Sequence, residues 1–206
     1  MKLVAERSTL RGTVAIPASK SHTIRAVAIA SLAEGSSVIR DPLVSGDTLS
    51  AVACYRALGA RIDISDDSAW RIEGTDGRPS APDQPIDVGN SGTSLRIAVS
   101  SAALCGGEAT VRLTGDSQIR ERPIGPLLRA LEQLGASARS EKGNDRAPVL
   151  VGGKLKGGTT EIECKTSQYL SSLLLAAPLA ENDTEIVVTL LNEPDYVQMT
   201  LDWLDR

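Results

Sequence analysis

The feature that most constrains this chain is an internal repeat. Hydrophobic periodicity and turn residues alternate between strand-like and helix-like segments. In the first round "GTVAIP" reads as a strand and "SHTIRAVAIASLAEG" as a helix closed by glycine. "SSVIRDP" is a second strand, and "DTLSAVACYRALGA" a second helix capped by Asp47 and ended by Gly59. "RIDIS" and "WRIEGT" follow as two strands joined by the turn "DDSA". The same order restarts with "PIDVGN", "SGTSLRIAVSSAALCGG", "ATVRLTG", "RPIGPLLRALEQLGA", "SARSE" and "APVLVGG". Both second helices end in Leu-Gly-Ala, and the period is roughly 75 residues, the size of one βαβαββ unit. A third round, "TTEIEC", "TSQYLSSLLLAAPLAEN", "TEIVVTLL" and "DYVQMTLDWLDR", stops in its second helix. Residues 12–80, 85–153 and 157–206 are therefore expected to be three units of one α/β domain, the third incomplete, and the chain a fragment of something longer.

Composition narrows the function. Of 206 residues, 41% are hydrophobic and 23% charged, which suits a globular protein with a sizeable core. No apolar run is long enough for a membrane span and the amino terminus has no secretory pattern, so a cytoplasmic location is expected. The net charge of −4 lacks the basic footprint of a general nucleic-acid binder. Phenylalanine is absent and aromatics are 2%, so ring stacking on bases or sugars is not the expected mode of recognition. Cys54, Cys105 and Cys164 are odd in number without close pairing, which argues against a disulfide framework or a zinc site; they read as small buried residues. Any anion must be held locally.

The repeat supplies local sites. The first helix of each round opens on small polar residues: "ASKSHTIR", "GNSGTSLR" and "KTSQYL". A helix start leaves N–H groups unpaired and carries partial positive charge, so each start suits an anion. Equivalent helices in repeated units present equivalent ends on one side, which would gather hydroxyls from Ser21, Thr93, Thr166 and Ser167. Lys20 and Arg25 lie at the first start, with Ser21 and Arg25 four apart on one face, and Arg96 lies one turn into the second helix. "DSQIRERPIG" adds Arg120 and Arg122, with Pro123 expected in the first turn of the following helix. Guanidinium groups bind carboxylate and phosphate through two parallel hydrogen bonds. The lone histidine, His22, reads as a helix-surface residue.

"PASKSHTIRA", "GNSGTSLR", "RERPIGPLLRALEQLGA" and "TSQYLSSLLLAAPLA", in this order, closely resemble the 5-enolpyruvylshikimate-3-phosphate synthases. The resemblance runs through essentially the whole chain. It implies the enolpyruvyl transferase fold, an inside-out α/β barrel of βαβαββ units in two similar domains, of which this chain would be most of the first. The implied reaction transfers the enolpyruvyl group of phosphoenolpyruvate to the 5-hydroxyl of shikimate 3-phosphate. It passes through a tetrahedral intermediate and releases phosphate, with no cofactor. Position by position, Ser21, Arg25, Thr166, Ser167, Gln168 and Tyr196 would hold shikimate 3-phosphate. Lys20, Asn90, Gly92, Thr93 and Arg122 would serve phosphoenolpyruvate.

The implied partners are those two substrates and the carboxy-terminal domain of the same enzyme, which carries the acid/base carboxylates beyond residue 206. A small residue at Gly92 implies sensitivity to glyphosate, the family's phosphoenolpyruvate-competitive inhibitor. Three positions depart from the pattern: Ser91 stands for the usual alanine, Ile97 for proline, and Asp195 for the proline before the tyrosine. The sister UDP-N-acetylglucosamine enolpyruvyl transferases share the fold, but carry a cysteine where Ser117 stands. A non-catalytic phosphate-binding module is the other alternative.

Overall fold

The structure is a computed structural model that describes residues 2–9 and 11–206. Its elements are α1 (Lys20–Leu32), β1 (Ser36–Arg40), α2 (Gly46–Ala57), β2 (Arg61–Asp63), β3 (Ala69–Glu73), β4 (Ile86–Asp87), α3 (Gly92–Ala102), β5 (Thr110–Thr114), α4 (Gly125–Gln133), β6 (Ala136–Ser140), β7 (Val149–Gly153), β8 (Gly158–Cys164), α5 (Ser167–Ala176), β9 (Thr184–Leu191) and α6 (Pro194–Leu204). They form three small sheets: β1-β3-β2, wholly antiparallel; β4-β5-β7-β6, in which only β4 and β5 run parallel; and the parallel pair β8-β9. Helices α3 and α5 are the crossovers that parallel pairing requires.

The sheets lie outside and the helices inside. Strands β2, β3, β6 and β8 alternate buried and exposed residues, the pattern of a sheet with one wet face. Helices α1, α3 and α5 are buried on nearly every side. With no phenylalanine to fill the centre, these helices approach through small side chains, and Ser31, Ser100, Ser101, Ser171 and Ser172 are fully buried. A buried hydroxyl favours a partner, and each of these but Ser31 Oγ has one. Ser172 Oγ donates to the Arg96 carbonyl at 2.5 Å and lies 2.6 Å from Ser100 Oγ, which ties α5 to α3, while Tyr55 OH lies 2.8 Å from Ser101 Oγ, which ties α2 to α3.

The repeated Leu-Gly-Ala closes its helix by geometry. Gly59 and Gly135 have φ of +102° and +91°, a region that favours glycine. At the first of them, Gly59 N–H donates to the Arg56 carbonyl and Ala60 N–H to the Tyr55 carbonyl, both at 3.0 Å, the paired bonds of a Schellman end.

Three expectations are corrected. "GTVAIP" is not a strand: Val14 and Ile16 are 77% and 83% exposed, and among the described residues no sheet edge pairs with the segment. A lone strand leaves its backbone groups to water and its apolar face uncovered, so it does not form alone. The cap of α2 is Ser45, not Asp47; Ser45 and Thr48 make a reciprocal capping box, and Asp47 lies in the first turn. Pro123 is not in the first turn of α4, which starts at Gly125 with Pro126 inside; Pro123 forms an isolated antiparallel bridge with Arg146. The cysteines are buried or half-buried, and burial pushes the Cys54 thiol up to about 12 and the Cys105 thiol to about 11, so neither is a ready nucleophile. No helix among the described residues is long and apolar enough to cross a membrane.

Because the α3–α5 contact is made at serine distance, Ser172→Leu is expected to force the helices apart and to lower stability in urea unfolding by about 2 kcal/mol or more. A loss under about 0.5 kcal/mol would show that the contact is loose.

Candidate anion-binding site

The starts of α1, α3, α5 and α6 meet around one cleft of about 160 Å³, lined by Lys20, Ser21, Arg25, Thr93, Ser167, Gln168, Glu193 and Tyr196. Each of the first three starts is capped by its own hydroxyl: Ser19 accepts from His22 N–H, Ser91 from Ser94 N–H, and Thr166 from Gln168 N–H. The residues just inside the caps, among them Lys20, Ser21, Thr93, Ser167 and Gln168, line the cleft. Larger hollows exist, such as one of about 440 Å³ on the face of β1, β2 and β3, but no helix start opens into it.

Arg25 anchors the floor. It is 1% exposed, and its guanidinium donates to Thr200 Oγ1 at 2.7 Å, Ser171 Oγ at 3.0 Å, the Tyr196 carbonyl at 3.0 Å and the Ser21 carbonyl at 3.1 Å. The Tyr196 ring lies 5.9 Å from its guanidinium carbon. Every acceptor is neutral, so the hydrogen bonds orient the cation without cancelling its charge. Burial pulls its pKa below the ordinary arginine value, but arginine starts so high that it remains charged.

Arg96 repeats the device on α3. Its guanidinium donates to Gln168 Oε1 at 2.8 Å and to the Pro123 carbonyl at 3.2 Å, lies 5.6 Å from the Tyr169 ring, and leaves Nε without a partner. Burial lowers its pKa, with the nearby Arg122 charge acting in the same direction. Gln168 is held between Arg96 and Thr93, donating to Thr93 Oγ1 at 3.2 Å. Lys20 makes a half-exposed ion pair with Asp47 at 3.5 Å.

The residues singled out in the sequence fall into three groups. Ser21, Arg25, Ser167, Gln168 and Tyr196 line the cleft together, joined by Lys20 and Thr93. Gly92 and Arg122 adjoin it: a methyl group built on Gly92 would fall 2.8 Å from Arg122 Nη1 and 3.2 Å from Arg96 Nη1, so the glycine leaves room for two guanidiniums beside the start of α3. Thr166 and Asn90 stand apart. Thr166 is spent as the α5 cap, and Asn90 donates to Asp116 Oδ2 at 2.6 Å and Gln118 Oε1 at 3.2 Å outside the cleft lining. Arg120 is exposed in the 3-10 turn Ile119–Glu121, and His22 accepts from Trp203 Nε1 at 2.9 Å on the surface.

Two of the three departures from the family pattern, Ser91 and Ile97, have plain structural roles. Ser91 caps α3 and donates to Ser94 Oγ at 2.7 Å, while Ile97 is fully buried in the core. Sequence reasoning missed Glu193, which lines the cleft. The available signal was "NEPDY", an acidic residue directly before a proline in a helical first turn, the place of an N-cap.

The family profile described as "EPSP synthase (3-phosphoshikimate 1-carboxyvinyltransferase)" matches residues 4–206. The 3-phosphoshikimate 1-carboxyvinyltransferase of Acetivibrio thermocellus is 56% identical over 206 residues, which are 100% of this chain and 48% of that protein. The one from Methanothermobacter thermautotrophicus is 48% identical over 210 residues, 100% of this chain and 49% of that protein. A solved EPSP synthase from Acinetobacter baumannii matches with a TM-score of 0.79 at 26% identity, over 91% of this chain and 42% of that one. The fold is thus that of the enolpyruvyl transferases. The chain belongs to the EPSP synthase family, and it spans about half the length of the curated relatives it matches.

Because Arg25 joins three helices, Arg25→Ala is expected to lower stability by about 2–4 kcal/mol in urea unfolding, and Arg25→Lys to recover less than half of that, since one ammonium cannot reach all four acceptors. Full recovery by lysine would show that charge alone matters there.

Proposed function

We propose that this chain is the shikimate 3-phosphate-binding half of a 3-phosphoshikimate 1-carboxyvinyltransferase. The enzyme would transfer the enolpyruvyl group of phosphoenolpyruvate to the 5-hydroxyl of shikimate 3-phosphate and release phosphate. The observation that carries this proposal is the meeting of Ser21, Arg25, Ser167, Gln168 and Tyr196 in one cleft at four helix starts. A phosphate monoester needs fixed donors and cations, and the cleft offers both. Ser167 N–H and Oγ, with the Ser21 hydroxyl, are the donors for its phosphate. Arg25 supplies the charge, Gln168 the amide for a ring hydroxyl, and Tyr196 the cover.

Phosphoenolpyruvate would lie beside Gly92, Thr93, Lys20 and Arg122. Two phosphates and a carboxylate repel one another unless cations and N–H groups already surround them, and fixing those groups before the substrates arrive lowers the barrier to their reaction. Addition protonates the methylene carbon while the 5-hydroxyl, losing its proton, bonds to the neighbouring carbon; elimination removes a proton from the new methyl group and expels phosphate, so both steps require a proton donor and acceptor. Proton transfer is assigned to the part of the enzyme that this chain does not span. Asn90 acts at one remove, holding the 115–118 loop through Asp116, and Thr166 acts by capping the helix that carries Ser167.

Calorimetric titration of the chain with shikimate 3-phosphate is expected to show binding, weakened about tenfold or more by Gln168→Ala. No detectable binding at millimolar ligand would overturn the proposal. In a complete two-domain enzyme, Arg122→Ala is expected to raise KM for phosphoenolpyruvate far more than KM for shikimate 3-phosphate. Equal increases would remove Arg122 from the phosphoenolpyruvate side.

A further inference from the structure

The donors assigned above to the phosphate are already in use. Ser167 Oγ donates to Glu193 Oε2 at 2.9 Å, Ser167 N–H donates to the same oxygen at 3.3 Å, and Thr166 Oγ1 lies 3.5 Å from it. One carboxylate oxygen thus collects the hydroxyl and N–H donors of the α5 start, as a phosphate oxygen would. Glu193 lines the cleft together with Lys20, Ser21, Arg25, Gln168 and Tyr196, so its charge sits in the site and not behind it. Among the described residues it makes no ion pair, and the three contacts to Ser167 and Thr166 are all its side-chain hydrogen bonds. It projects from the residue before α6, at φ 57° and ψ 53°, and caps none of that helix's N–H groups.

We propose that Glu193 is an internal competitor for the phosphate group: its carboxylate occupies the α5 start while the cleft is empty and swings out when shikimate 3-phosphate enters. This rests on the function proposed above. The physical reason is that the carboxylate and a phosphate dianion cannot share Ser167. They would compete for the same donors and repel each other at close range, where like charges cost at least about fivefold in affinity even at the dielectric of water. Glu193 keeps the donors satisfied in the empty cleft and sets how tightly the filled cleft holds its ligand. It is a residue that tunes affinity and touches no reacting bond.

Three forms of the chain test this by calorimetric titration with shikimate 3-phosphate and, separately, with shikimate. Glu193→Gln keeps the length and removes the charge; Glu193→Gly removes the side chain and suits the positive φ. Both variants are expected to bind shikimate 3-phosphate about fivefold or more tighter than the unaltered chain, with shikimate affinity unchanged because it has no phosphate to compete. If the unaltered chain binds and neither variant binds more tightly, the inference is overturned and the proposed function stands. Equal tightening toward shikimate also overturns it, since competition at the phosphate would then not be the cause. If none of the three binds shikimate 3-phosphate, the proposed function and the inference fall together.

Discussion

The site depends on the buried guanidinium of Arg25. It reaches from α1 to Ser171 on α5 and to Tyr196 and Thr200 on α6, so the relative position of three helix starts is set by one planar group. Burying a charge is costly unless it is well hydrogen-bonded, and here only neutral oxygens supply the bonds. A carboxylate partner would have stabilised the arginine and cancelled its field. Neutral acceptors fix its orientation without a direct ion pair cancelling its charge. Arg96 follows the same principle beneath Gln168, stacked on Tyr169 and bonded to an amide and a carbonyl.

Close helix packing makes that arrangement possible. The α3–α5 contact is made through small residues, and the shared serine hydroxyls between these helices accompany the reach of Gln168 to Thr93. A centre filled with larger rings would have set these helices further apart.

Much of this was legible from residue order. The period of the repeat placed α1, α3 and α5 and their small polar starts, and Ser21, Arg25, Ser167, Gln168 and Tyr196 line one cleft. What was not legible depended on partners distant in sequence. "GTVAIP" has the alternation of a strand, yet alternation is only half of a strand; the other half is an edge to pair with. Thr166 and Ser167 are neighbours with similar hydroxyls, and only the turn geometry makes one a cap and leaves the other facing the cleft. Ser45 took the capping role given to Asp47 because Thr48 could reciprocate.

By itself the sequence determined the periodic succession of strands and helices, the closures at Gly59 and Gly135, and the polar helix starts, because these follow from local propensity and turn chemistry. Tertiary structure alone decided which of those starts share a cleft, that the acceptors around Arg25 are neutral, and that Glu193 faces Ser167 across 26 positions of chain. Those are properties of distance between remote residues. Local rules of φ, ψ and periodicity carry no information about them until the helices are packed.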